Sequence, residues 1–256
     1  MGHTLAEKIL MHNTGVADCR PGDIVITHPD CVMFHDIYTT NVYRKFKEMG
    51  FTKSWDPEKV IIMFDHLLPT CLPLDGDHLK YGYARPGDFV FVTDSHTTTY
   101  GAVSAFSTGI GYTEMAAVLG TGEMWVRVPS AIKIQIDGTL PDGVCSKDIA
   151  LRILGDLKAA GGTYKSLEFC GSTIDAMPVD ERLTIANMAV ECGAKVGLFA
   201  PTKESCAYSN VNYDDVSWLH FDDDAEYEKV LTYKAEDMVP YIAAHPYVDN
   251  VKPLSE

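Results

Sequence analysis

Residues 89–102 read FVFVTDSHTTTYGA. Phe89 to Val92 form an apolar, β-prone run of the kind that makes a buried strand. The run gives way at once to hydroxyls, one carboxylate (Asp94) and one imidazole (His96). In open α/β sheets, ligands collect beyond the carboxyl ends of the strands. A polar cluster in that position has two readings. It is a capped turn that merely closes the strand, or it holds side chains for chemistry.

A second strand end repeats the pattern. Lys59 to Phe64 reads KVIIMF, a run that predicts a strand buried on both faces, and it ends at Asp65-His66. A carboxylate beside a histidine fixes the tautomer and raises its basicity, which is how general acid–base pairs are built. The plainer alternative makes each Asp a turn cap and each His a hydrogen-bonded loop residue. Two such pairs at equivalent strand ends bring the two readings close to balance.

Working outward, Thr4-Leu5-Ala6-Glu7 has the form of a capping box, with Leu5, Ile9 and Leu10 as the apolar stripe and Gly15 as the stop. Arg20-Pro21-Gly22-Asp23 and Arg85-Pro86-Gly87-Asp88 are Pro-Gly turns, each feeding a β-rich run. The pattern predicts helices over Tyr38–Met49, capped by Thr39 or Thr40, over Thr113–Leu119, from a cap at Ser146 to Gly161-Gly162, and over Asp180–Cys192. It predicts further strands over Ala131–Asp137, where Ile132, Ile134 and Ile136 alternate with polar residues, and over Ala194–Phe199. Strands alternating with helices define an α/β chain with a largely parallel sheet between helical layers. Residues 1–217 read as that α/β domain. Residues 218–256, with Asp222, Asp223, Asp224, Glu226 and Glu228, read as an acidic, irregular arm of the same domain.

Bulk properties narrow the function. The 256 residues are 46% hydrophobic and carry a formal net charge of −15, with no Lys/Arg cluster. A nucleic-acid partner needs such a cluster, so none is expected. No apolar run approaches the ~18 residues of a membrane span. The start, MGHTLAEKIL, lacks a secretory apolar core, so a cytoplasmic location is expected. The seven cysteines are odd in number and show no CxxC spacing. Most read as reduced, buried thiols, with neither a disulfide framework nor a self-contained zinc site expected.

Two further segments bear on a site. In the Asp180–Cys192 helix, Ile185, Met188, Ala189 and Cys192 make the buried stripe, and Asn187 and Glu191 share a face roughly opposite. That face is either solvated or part of a site. Gly109-Ile110-Gly111 imitates the start of a dinucleotide fingerprint. It lacks the third glycine, and Ser104 to Thr108 is a poor strand, so it reads as a tight turn with close helix packing.

Taken together, Thr4–Leu10, Phe64-Asp65-His66, Thr93–Thr97 with Tyr100-Gly101-Ala102, Gly122–Pro129 and Leu183–Ala194 resemble the aconitase superfamily, nearest its 3-isopropylmalate dehydratase and homoaconitase large subunits. The resemblance implies a three-layer α/β/α sandwich and a hydro-lyase that reversibly dehydrates a hydroxy di- or tricarboxylic acid. It implies a [4Fe-4S] cluster as Lewis acid, and a separate small subunit whose swivelling domain helps bind the substrate. By position, Asp65, His66, Asp94, His96 and Glu191 are the implied catalytic residues, with Ser95 and Asn187 beside substrate and cluster.

The departures are specific. The family's cluster cysteines, one in a Gly-Ser/Thr-Cys-Thr-Asn stretch and two in a later Cys-x-x-Cys, have no match here. The stretch near residues 71–82 is shorter than in the family, and Cys71 to His78 does not match its histidine-bearing segment. The chain therefore reads as a piece of a longer protein or as a naturally shortened relative. Two other functions stay open. One is a non-catalytic structural or assembly module that has lost the cluster. The other is a cluster-free divalent-metal enzyme using Asp65, His66, Asp94 and His96 as ligands.

Overall fold

The computed structural model describes residues 1–63 and 82–256. Asp65, His66, Cys71 and His78 lie outside the described residues. Twelve strands are described: β1 (Ile24–Thr27), β2 (Cys31–His35), β3 (Val60–Met63), β4 (Phe89–Val92), β5 (Phe106–Gly109), β6 (Met124–Arg127), β7 (Ala131–Asp137), β8 (Ser166–Cys170), β9 (Val196–Phe199), β10 (Lys229–Lys234), β11 (Tyr241–Ala243) and β12 (Val251–Pro253). The helices that matter here are α1 (Leu5–Thr14), α2 (Asp36–Glu48), α3 (Tyr112–Thr121), α4 (Ser146–Leu157) and α5 (Val179–Met188).

The fold is α/β, and its parallel strands divide between two sheets. One has the order β3-β2-β4-β5, the other β10-β7-β8-β9, and every pair in both is parallel. Two short antiparallel ladders, β1-β6 and β11-β12, complete the described sheets. The first sheet is covered on both faces. Phe89 and Phe91 join α1 and α3 residues in one core cluster, while Val90 and Val92 join Cys31, Met33 and Val103 in another. Such double burial is why β4 reads as an unbroken apolar run. Val196 and Leu198 of β9 enter the first of these cores, and Phe199 packs with Ile132, Ile134 and Ile136, so the two sheets share packing through β9.

At the start of α1 every early amide finds an acceptor. Thr4 Oγ1 accepts from Glu7 N, and Glu7 Oε2 accepts from Thr4 N. The Leu5 and Ala6 amides donate to Glu168 on β8, each at 3.0 Å. Gly15 ends the helix in the left-handed conformation at φ 71°. Thr4→Ala removes one acceptor of this set and is expected to cost about 1 kcal/mol, measured by denaturant midpoint.

Several readings need correction. Among the described residues β3 pairs with β2 alone, and Ile62 is 42% exposed; the run of four apolar residues does not reveal which face lacks a neighbour. α2 starts at Asp36, and Thr39 lies inside it, donating to the His35 carbonyl. Cys145, not Ser146, stands at the cap of α4, paired with Asp148 in a capping box. The Asp180–Cys192 helix is α5 followed by a 3-10 turn, Ala189–Cys192. Phe106–Gly109 is a strand despite its composition, held by pairing with β4 and by Ser107 Oγ donating to the Thr97 carbonyl. The arm read as irregular supplies β10, an edge strand on β7, and buries Leu219, Ala235 and Met238. Its exposed edge position weakens the alternation that marks a half-buried strand.

Candidate functional site

Beyond Val92 the chain turns into a 3-10 segment, Ser95–Val103. Asp94 caps it, its Oδ1 accepting from the His96 amide at 2.8 Å. Hydroxyls tie the segment down from within. Thr97 Oγ1 donates to the Asp94 carbonyl, and Thr99 Oγ1 to the His96 carbonyl. The dense hydroxyls of the sequence therefore serve first to satisfy a backbone that makes no regular ladder.

Three glycines let this segment and β9 lie against their neighbours. A Cβ on Gly101 would overlap the carbonyl oxygen of Gly197 in β9, and a Cβ on Gly197 would stand 2.8 Å from that of Ala189. A Cβ on Gly109, the last residue of β5, would overlap the Asp94 carbonyl, so the close packing there is against the strand-end backbone and not the helix packing expected from the sequence. β9 is thus held between the 3-10 segment and the α5 end, with backbone nearly touching backbone.

This packing brings the two polar segments together. His96 Nε2 and Glu191 Oε1 are 3.3 Å apart, and Ser95 Oγ lies 3.0 Å from His96 Nδ1. A carboxylate only accepts, so Nε2–H donates to Glu191 and, in the neutral imidazole, Nδ1 accepts from the Ser95 hydroxyl. Asn187 Nδ2 donates to Thr99 Oγ1 at 3.0 Å, and Thr98 Oγ1 donates to the Asn187 carbonyl. The Asn187/Glu191 face is therefore partly covered by the 95–103 segment. His96 and Glu191 remain partly open, with side chains 43% and 33% exposed. Of the residues singled out in the sequence, Asp94, Ser95, His96, Asn187 and Glu191 meet here.

A cavity of about 410 Å³ adjoins Asp94 and Ser95, also lined by Thr93, Gly111, Tyr164 and Lys195. The last two were missed by sequence reading. Gly161-Gly162 signalled only a helix end, and nothing local marks Tyr164 for its left-handed backbone, φ 59°. Two cations approach its ring, with Arg127 Cζ 4.3 Å and Lys195 Nζ 5.3 Å from its centroid.

The described cysteines do not form a cluster site. Among the described residues, no group of three or more His, Cys, Asp or Glu could hold a metal ion. Burial pushes the thiols of Cys19, Cys31 and Cys192 up to about 12, and that of Cys170 to about 11, so they stay protonated. Among the described residues no helix is long and apolar enough to cross a membrane.

Two parallel sheets with a polar acid–imidazole cluster beyond a strand's carboxyl end put the chain among α/β proteins that build sites on strand ends. Comparison with known sequences narrows this. Residues 77–256 match the aconitase family (aconitate hydratase). The chain is 36% identical to 3-isopropylmalate dehydratase large subunit 1 of Methanopyrus kandleri and 35% identical to the large subunit of Halothermothrix orenii. It is 37% identical to large subunit 2 of Archaeoglobus fulgidus. Each match covers 100% of this chain and 68% of the relative. The chain belongs to the aconitase family.

Proposed function

We propose that this chain acts as the large-subunit part of a hydro-lyase of the 3-isopropylmalate dehydratase kind, adding and removing water on a small hydroxy di- or tricarboxylic acid. The relatives' names support that activity and, through the words "large subunit", a small-subunit partner. The carrying observation is the contact of His96 with Glu191, flanked by Ser95 and Asn187 beyond β4. In this reading Glu191 fixes the His96 tautomer, and the pair holds or delivers the proton that leaves with the substrate hydroxyl. Asp94 fixes the backbone that carries His96. Asp65 and His66 are assigned an assisting role by family position alone.

The family implies a [4Fe-4S] cluster that would polarise the hydroxyl when bound. The described residues do not fit it, since no three cysteines converge among them. No step is derived through it. A module without catalysis is the less favoured reading, because the matched relatives carry the dehydratase name along the whole of this chain.

The test is a hydration and dehydration assay with 2-isopropylmalate, homocitrate, citrate and dimethylmalate. It is run anaerobically with iron, sulfide and a small subunit supplied. Turnover of one of them is expected, falling about 10²- to 10⁴-fold in Glu191→Gln. Absence of turnover on all four, or full activity in Glu191→Gln, overturns the reading.

A further inference from the structure

The contact of His96 with Glu191 is only weakly held by the two side chains themselves. At 3.3 Å it sits at the long end of a hydrogen bond, and both partners stay open to water. A slip of about 0.5 Å would carry it past hydrogen-bonding range. The backbone at His96 departs from helical values, with φ −88° and ψ 18°, so regular helical geometry does not fix the direction of the ring. The contact therefore depends on how the 95–103 segment is registered against the end of α5.

A second rung sets that register. Thr99 lies three residues beyond His96, and Asn187 lies four before Glu191. Side chains three apart eclipse in a 3-10 turn, and side chains four apart are neighbours on a helix. Thr99 with Asn187 and His96 with Glu191 thus form two adjacent rungs between the same two elements. The Thr99 hydroxyl has one proton, which goes to the His96 carbonyl at 2.6 Å. Its oxygen is left to accept, so the Asn187 amide must present Nδ2, at 3.0 Å. Thr98, 2% exposed, donates to the Asn187 carbonyl at 3.3 Å. The other close packing here is apolar: Gly101 lies against Gly197, and Ala102 belongs to one core cluster with Ala186 and Ala189. Apolar packing holds distance but is non-directional, so orientation falls to the hydroxyls.

We propose that Thr99 is a positioning residue. Through its hydrogen bonds to Asn187 and to the His96 carbonyl, it aims the imidazole so that Nε2, and not Nδ1, carries the proton toward Glu191. Asp94 holds the amide of His96 and Thr99 holds its carbonyl, so the peptide groups on both sides of the residue are fixed. The bearing of Thr99 on turnover rests on the hydro-lyase reading; its hold on the tautomer does not.

The test labels the histidines of the full chain with ¹⁵N and reads, from long-range ¹H–¹⁵N spectra, which ring nitrogen of neutral His96 is protonated. The His96 signals are assigned by their absence in His96→Gln. One tautomer, with Nε2 protonated, is expected in the unsubstituted chain. Thr99→Val keeps the shape and removes both hydrogen bonds, and the Nδ1-protonated share is expected to rise at least about threefold, the weight of one net hydrogen bond. Thr99→Ser is expected to restore the original spectrum. Thr14→Val, which removes a hydroxyl bonded to the Leu10 carbonyl in α1, is expected to leave the His96 signals unmoved. If Thr99→Val does not fold, Thr98→Val carries the test, with the same direction of change expected. An unchanged tautomer in the folded variant, or a change that Thr99→Ser fails to reverse, overturns the proposal. In turnover, kcat is expected to fall about tenfold in Thr99→Val with KM little changed. A Thr99-dependent tautomer in a chain that turns over none of the four acids sinks the hydro-lyase reading alone. Turnover with a tautomer indifferent to Thr99 sinks the positioning role alone.

Discussion

Gly101→Ala is expected to destabilise the protein by more than about 3 kcal/mol and to separate His96 from Glu191, read as a large fall in denaturant midpoint with loss of turnover. The new methyl would overlap the Gly197 carbonyl, and backbone cannot rotate away as a side chain can. β9 cannot retreat either, because Gly197 already lies against Ala186 and Ala189 on its other side. Relief would have to come from the 3-10 segment, which carries Ser95 and His96. Gly15→Ala makes the control. A Cβ there meets nothing within 4 Å, so its cost is the left-handed backbone alone, roughly 1 kcal/mol.

The second large effect is expected at Glu168, which is fully buried on β8. It accepts from the Leu5 and Ala6 amides, the Ser166 hydroxyl and the Tyr227 hydroxyl. All four partners donate. A glutamine in its place turns two N–H groups toward donors, so Glu168→Gln is expected to cost about 2–4 kcal/mol at neutral pH. Burial also raises the Glu168 carboxyl from 4.5 to about 6, its hydrogen bonds lowering it only in part. The folded protein then holds this proton more tightly than the unfolded chain. Its contribution is full below about pH 4.5 and is lost as pH rises through about 6, a decline of about 2 kcal/mol. Urea melts at half-unit steps between pH 4 and 7 measure it. Glu168→Gln should flatten this window, and an unchanged slope would assign the pH dependence to other groups.

How far these features were readable follows from how local their causes are. The α1 capping box, the apolar run of β4 and the alternation of β7 depend on near neighbours or on burial, and the residues announce them. β5, β10 and the exposed face of β3 depend on which strand lies alongside, and only tertiary pairing decides that. The same division holds at the site. Asp94, Ser95 and His96 could be picked out because they follow a buried strand. Asn187 and Glu191 could be seen to share a face, but not that residues 95–103 partly cover it. Lys195 and Tyr164 gave no signal, since a lysine after Gly193-Ala194 and an aromatic ring after Gly161-Gly162 look like ordinary surface.

The tie between α1 and Glu168 spans 163 residues of sequence. During synthesis the first helix emerges without the carboxylate that closes its leading amides. At ordinary translation rates it waits roughly 10–30 s before β8 is made. Until then α1 is a marginal ten-residue helix with an apolar stripe and no finished core to bury it. The helix is thus made long before it is secured, and this is the interval in which a nascent chain most needs a chaperone.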